Sequence, residues 1–296
     1  MKADAPQLRN PSTSSDEQVG RWVAHQAGLR TVRDLEQDLR AVGVKIVIFK
    51  GLHLSMLAAD PLYRPMDDVD VVIEGDFDRA LAQLGATARW LPGADESHSV
   101  PIIGPRGRTV DLHRSPLPLH FGALNAGRLA DRSRPAPSFG PCVRVPDLVD
   151  AAVLVLAHFV KDRLGAYGTR YVARDLDVLL GAGAGYEAIA TRCGEHGLRR
   201  VGLIAANAIA SSAPRFRPLL DAFCASTLEL RVANCYLVAA VRWAQRYPRL
   251  SWWTVRLLPD DLDAQVLGLM KQVRDSLYRR LQTVRVNAPF HRRADT

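Results

Sequence analysis

Two short stretches constrain this chain more than any others: Asp67-Asp68-Val69-Asp70-Val71-Val72-Ile73 and Val110-Asp111-Leu112-His113. Polar and apolar residues alternate over Asp68–Val71 and over Val110–His113, which is the pattern of a strand with one apolar face. Asp68 and Asp70 then share a face, with Val69 and Val71 directed into a core. Asp111 and His113 share a face, with Val110 and Leu112 opposite. Asp67 has the other parity and faces elsewhere. Carboxylates on apolar strands are costly unless something cationic pairs with them. Mg²⁺ is the usual partner where a triphosphate is handled. The two stretches together point to one carboxylate cluster suited to metal-assisted phosphoryl or nucleotidyl transfer.

The 296 residues suffice for one large domain or two modest ones. An apolar share of 48% with 24% charged residues fits a globular protein with a sizeable core. The formal charge of +8 suits an anionic substrate such as a nucleotide, but arginine-rich composition alone is thin ground for nucleic-acid binding. Cys142, Cys193, Cys224 and Cys235 form no CxxC pair and no metal-ligand spacing, which reads as a reduced, cytoplasmic protein. No signal peptide is visible, and no apolar run approaches the roughly 20 residues that span a bilayer. The longest such run, residues 151–157, reads as a buried helical segment.

Residues 1–15 are polar and rich in Pro and Ser, and read as a disordered lead-in. Residues 16–41 carry apolar side chains at helical spacing, and Gly43 ends that helix. Residues 44–49 form a β-branched run, expected as a buried strand. Lys50-Gly51 and a helix over 52–59 follow, an order that presents free helix N–H groups to phosphate. Residues 60–67 make a loop with two prolines and Arg64. The Asp68–Glu74 strand and a helix over 76–84 come next, then a hairpin turning at Gly104-Pro105-Arg106-Gly107. Strand signals fade beyond about Pro118. Helices are expected over 146–161, 169–180, 186–195, 198–210, 218–247 and 259–284, with residues 116–141 as connector. The organisation is an α/β lobe over 16–141 and an α-helical lobe over 142–296.

The order Lys50-Gly51, Arg64-x-x-x-Asp68-x-Asp70, Val110-Asp111-Leu112-His113 resembles the nucleotidyltransferase superfamily related to DNA polymerase β. Within it the chain looks most like the bacterial group described as uncharacterised nucleotidyltransferases. His158 resembles that group's helical-lobe histidine, and Asp175, in Arg174-Asp175-Leu176-Asp177, its helical Asp-Leu signature. The likeness covers about residues 20–185. It implies an α+β fold, a small mixed sheet with helices followed by a helical lobe. It also implies two Mg²⁺ ions held by Asp68, Asp70 and Asp111, the catalytic carboxylates, and a nucleoside triphosphate, ATP first, gripped at Lys50 and Gly51. Leu52 departs from the pattern, because a second Gly or a Ser often follows the first Gly. Ser55 lies one helical turn on.

The chemistry implied is in-line attack on the α-phosphorus, moving NMP to an acceptor hydroxyl or phosphate. Arg64 would neutralise triphosphate charge. His158, Lys161 and Asp175 complete the expected nucleotide contacts. Asp175 pairing with Arg170 or Arg174 is the structural alternative, as a buried hydrogen-bonded ring is for His158 and for His113. Arg242–Arg256 interleaves Arg with Trp243, Tyr247, Trp252 and Trp253. It reads as aromatics packed into a core before it reads as a base-stacking surface. His291-Arg292-Arg293 reads as a solvated tail. A small molecule or peptide is the expected acceptor, since no RNA-binding module is recognisable. Two alternatives stand beside this reading. One is a glycosyltransferase using Asp-x-Asp for a nucleotide-sugar's metal, which predicts a longer α/β sandwich before that motif. The other is a non-catalytic nucleotide-binding or antitoxin-like module.

Overall fold

The computed structural model describes residues 15–94, 98–118, 121–162 and 168–246, with side chains to residue 237. The order is α1 (Ser15–Arg40), β1 (Lys45–Ile48), α2 (Gly51–Leu57), β2 (Asp68–Glu74), α3 (Phe77–Ala86), β3 (Leu91–Pro92), β4 (Ser99–Ile103), β5 (Thr109–His113), α4 (Ala126–Arg132), β6 (Arg134–Pro135), β7 (Val143–Val145), α5 (Leu148–Lys161), α6 (Gly168–Gly181), α7 (Tyr186–Glu195), α8 (Arg199–Ser212), a 3₁₀ turn (Pro214–Phe216), α9 (Arg217–Ala222) and α10 (Thr227–Arg246). The fold is α+β, and its seven strands form one mixed sheet in the order β3-β4-β5-β2-β1-β7-β6.

One face of the sheet is the main core. Val69, Val71 and Ile73 of β2, Val110 and Leu112 of β5, Val100 and Ile102 of β4, and Ile46 and Ile48 of β1 pack there with Val32, Leu35 and Leu39 of α1 and Phe77, Ala80 and Leu84 of α3. Each such side chain contributes about 1.5–3 kcal/mol when fully buried, so the register of β2 and β5 is fixed by their apolar halves. The polar halves, Asp68 and Asp70 in β2 and Asp111 and His113 in β5, take the opposite face, as the period-two pattern requires. Gly43, at φ +72, closes α1 with its N–H on the Arg40 carbonyl at 3.0 Å. Asp76 caps α3 by accepting from the Arg79 N–H at 3.0 Å. In the hairpin, the Gly107 N–H donates to the Gly104 carbonyl at 2.9 Å.

Two sequence expectations change. Strands do not end near Pro118: β6 and β7 lie beyond it, and β7 pairs in parallel with β1. Strands of two and three residues are too short to show a period. The expected helix over 218–247 is two helices, α9 and α10. Cys224, at φ +46, turns the chain between them. Ser226 then starts α10 with a reciprocal capping box: its N–H donates to Glu229 Oε2 at 2.8 Å, and its Oγ accepts from the Glu229 N–H at 3.2 Å. The Ser-Thr-Leu-Glu run at 226–229 was the available signal. The lead-in over 1–14, the helix over 259–284, the side chains of the Arg242–Arg256 stretch and the His291-Arg292-Arg293 tail lie outside the described residues.

Contacts divide the chain into two compact units. The first holds residues 1–116, 124–155 and 174–185, and with them the whole sheet. The second holds residues 117–123, 156–173 and 186–296. In the second, α8 buries Val201, Leu203, Ile204, Ala205 and Ile209. Its Asn207 donates to Asn234 of α10 at 2.7 Å. All four cysteines are free thiols, and no described helix is long and apolar enough to cross a membrane.

The hairpin turn generates a stability prediction. A Cβ on Gly104 would sit 2.8 Å from Trp90 Cζ3. Trp90 is 2% exposed and donates its indole N–H to Asp38 Oδ2 at 2.8 Å, so the ring has little room to yield. Gly104→Ala is expected to cost about 1–3 kcal/mol through overpacking, read as a lower melting temperature, whereas Gly107→Asn, in open space at φ +71, costs much less.

Candidate active site

The polar face of β2 and β5 is where the chemistry-bearing side chains meet. The two strands pair in parallel, with Asp68 opposite Thr109, Asp70 opposite Asp111 and Val72 opposite His113. This register sets Asp70 and Asp111 side by side and drops the His113 ring one step further along. His113 Nε2 lies 3.2 Å from Asp70 Oδ1 and 3.2 Å from Asp111 Oδ2. Ligand atoms of Asp70, Asp111 and His113 all fall within 4.8 Å of one another, close enough to share an ion. Asp68, at the exposed start of β2, is not one of those three.

Lys50 closes the cluster from the β1 side. Its Nζ donates to Asp70 Oδ1 at 2.8 Å. The residue stands between β1 and α2 at φ 54 and ψ −120. This is a conformation that suits glycine and costs other residues about 1–3 kcal/mol. The turn was expected to lean on Gly51, but the positive φ falls on Lys50. Leu52, the departure in the motif, is 1% exposed and part of the main core. Ser55 is buried as well.

The electrostatics follow from these contacts. Burial opposes ionisation of Asp70, yet Lys50 and His113 outweigh it and hold that carboxyl far below the usual carboxylate range. Burial also opposes Asp111, and the hydrogen bond and charge of His113 again win, with Ser99 assisting, so its pKa is lowered. The same two carboxylates raise His113 against the pull of its own burial. Asp68 goes the other way: desolvation, then Asp70 and Asp111, push its carboxyl up in spite of Lys50. Of the three carboxyls on this face, Asp68 alone is disfavoured as a carboxylate, by desolvation first and by its two neighbours second.

Arg108, which the sequence reading passed over, donates to the Met66 carbonyl. Burial lowers its guanidinium pKa while Asp67 and Asp68 raise it, so it belongs to the electrostatic surroundings of the site. An Arg at the start of an alternating strand carried no signal by spacing alone.

The remaining candidates separate into groups. Arg64 donates to Asp175 Oδ2 at 2.8 Å, and the Tyr63 hydroxyl donates to Asp175 Oδ1 at 3.0 Å. Arg174 stacks on the Tyr63 ring, its Cζ 4.2 Å from the centroid. The buried Asp175 thus ties the 60–67 loop to α6, and its carboxyl oxygens are both engaged. His158 is buried on α5, and Lys161 pairs with Asp162 at 3.1 Å; both belong to the second unit. His53 of α2, which drew no attention in the sequence, is fully buried, and neither ring nitrogen has a hydrogen-bond partner among the described residues. It lines a cavity of about 10 Å³ with Phe49, Lys50, Leu54, Ala151, Leu154 and Val155.

The model of a protein family described as uncharacterised nucleotidyltransferase matches residues 21–210. That span is more than half of the chain, runs beyond the 20–185 likeness to the end of α8, and contains every candidate residue above. No curated protein matches the chain. Among solved structures, similarity extends to an antigenic nucleotidyltransferase-like protein from Paracoccidioides brasiliensis, at 17% identity over 71% of this chain and 94% of that one, with a TM-score of 0.41. A CCA-adding enzyme with ATP matches at 11% identity over 93% and 76%, TM-score 0.27. A tRNA-processing enzyme in apo form matches at 13% over 88% and 75%, TM-score 0.25. Superpositions this loose fix neither fold nor substrate.

Two predictions follow from the geometry. Lys50→Gly relieves the backbone strain that Lys50→Ala retains, while both lose the ion pair, so the Gly variant is expected to melt higher, by about 1 kcal/mol or more of stability. Equal melting temperatures would show that the turn relaxes. For His53, burial and then the charge of Arg134 lower the ring pKa from 6.5 to about 4. Between those values the unfolded chain binds a proton that the folded chain refuses. The contribution is therefore whole above pH 6.5 and shrinks as pH falls toward 4, by about 3 kcal/mol in total. Denaturant melts across that window should show a shallower acid decline in His53→Leu than in the wild type; parallel curves would remove His53 as the cause.

Proposed function

We propose, since the chain belongs to the family of uncharacterised nucleotidyltransferases, that this enzyme moves NMP from a nucleoside triphosphate to an acceptor hydroxyl or phosphate with the help of Mg²⁺. The observation that carries the reading is the placement of Asp70 beside Asp111 on neighbouring parallel strands, with Asp68 two residues along the same face. The donor set fits a hard divalent cation. Carboxylate oxygens of Asp70 and Asp111 lie close together with Asp68 on the same face, Mg²⁺ prefers oxygen ligands, and after desolvation the neighbouring Asp70 and Asp111 charges help push the Asp68 carboxyl up.

Asp68, Asp70 and Asp111 would hold the ions. Two divalent ions there would stabilise the entering and leaving oxygens of an in-line displacement at the α-phosphorus. Lys50 and Gly51 would take the triphosphate, through the N–H groups that open α2 and through the Lys50 ammonium. Arg64 would add a planar cation to the phosphates, and Asp175, with both oxygens engaged, would act by aiming Arg64. ATP is the donor to try first. A small molecule or peptide is favoured as acceptor because no RNA-binding module is recognisable in the sequence. The glycosyltransferase alternative asks for a longer α/β sandwich ahead of the Asp-x-Asp strand, and among the described residues β1 is the one strand that precedes β2.

Calorimetry of each nucleoside triphosphate with Mg²⁺, on the wild type and on Asp68→Ala/Asp70→Ala, tests the reading. Metal-dependent binding in the wild type is expected. Its loss in the double variant should exceed the roughly 10–100-fold typical of residues that only support a metal ligand. No nucleotide binding at millimolar Mg²⁺ would overturn it.

A further inference from the structure

We infer that His113 is a positioning residue, which holds Asp70 and Asp111 in cation-binding orientation by sharing its Nε2–H between them, and is not itself a ligand of the cation. The inference rests on the metal centre proposed above.

The imidazole is 1% exposed and sits on the same strand face as Asp111, two residues on. Its Nε2 is equidistant, at 3.2 Å, from Asp70 Oδ1 and Asp111 Oδ2. Nδ1 is buried and meets no acceptor among the described residues. A neutral imidazole carries one N–H and an imidazolium carries two. With two carboxylates at Nε2 and no acceptor at Nδ1, the hydrogen belongs on Nε2. A metal ligand needs a lone pair there instead, and ligating histidines ordinarily donate their other N–H to an oxygen. Among the described residues, His113 has no such oxygen at Nδ1.

The distribution of donors on Asp70 supports the same conclusion. Lys50 Nζ, at 2.8 Å, and His113 Nε2 both address Oδ1. Oδ2 takes neither, and among the described residues no other hydrogen-bond or ion-pair partner for the Asp70 carboxylate is found. One carboxylate oxygen is pinned by two donors and the other keeps its lone pairs for a cation. The ring cannot easily turn away. Phe49 meets it edge to face at 5.2 Å between centroids, and His98 lies at 5.7 Å. Pairing of Val72 with His113 holds the backbone beneath it. The imidazole thus links the side chains of two strands whose backbones already set the carboxylates abreast.

Mn²⁺ serves as the probe on the full chain, with affinity read from the free-ion electron paramagnetic resonance signal and coordination from electron spin echo modulation. The wild type is expected to bind Mn²⁺ without the ¹⁴N modulation of a directly ligated imidazole. His113→Phe should weaken Mn²⁺ binding roughly 10–100-fold, and His113→Asn, whose amide N–H can still reach a carboxylate, should recover part of that loss. Ligated-imidazole modulation in the wild type would overturn the inference, and needs no variant to fold. Unchanged Mn²⁺ affinity in a folded His113→Phe would overturn it as well. A wild type that binds no Mn²⁺ would overturn the metal centre itself, and the positioning role with it.

Discussion

The parallel pairing of β2 with β5 is the constraint on which the site depends. Neither strand is remarkable by length, and β5 is reached through a hairpin that pairs it antiparallel to β4. Because β2 and β5 carry Val69, Val71, Val110 and Leu112 at alternate positions, the register that buries these four is also the register that sets Asp70 against Asp111. A slip by one residue would bury the carboxylates and expose the valines. Packing energy on one face therefore specifies the chemistry of the other, and no carboxylate has to find its partner by its own attraction.

That arrangement has an electrostatic consequence. Like charges held this close repel, and the structure offsets part of the repulsion with Lys50 and His113. Lys50 does so from a backbone conformation that costs a non-glycine residue energy. Strain in a turn that leads into a helix, beside a crowded acidic face, is stability given up locally and recovered in the core opposite. The same balance holds for His53, whose ring is fully buried with no hydrogen-bond partner among the described residues.

Alternation made the two faces legible in the sequence, because a period of two survives in strands of five to seven residues. The hairpin was legible from its glycines, and α1 and α3 from their spacing and caps. Features set by long-range pairing were not. β7 is three residues long and owes its place to β1, nearly a hundred positions earlier. The Arg64–Asp175 bond joins residues 111 apart; each was visible as a candidate, but nothing local announced that they satisfy each other. The break between α9 and α10 was readable in the Ser226–Glu229 capping box, yet the apolar spacing across it masked the turn. Lys50 was legible as a charge, and its strain was not, since the glycine of the turn is the next residue, Gly51.

Leu52 joins these strands of argument. A hydroxyl or a glycine at that position would bring a donor or open backbone toward phosphate, and its replacement by leucine looks like a loss. In the structure the side chain belongs to the main core with Val32, Leu35 and Met66. A residue aimed there has no route to a ligand on the opposite side of the turn, whatever its chemistry. On the proposed reading, the grip on an anion would come from the main-chain N–H groups at the start of α2, which leucine leaves intact, and from a cation alongside. Lys50, adjacent in sequence and already directed at the acidic face by its ion pair with Asp70, is placed to be that cation, so the departure at Leu52 and the unusual backbone at Lys50 belong to one solution.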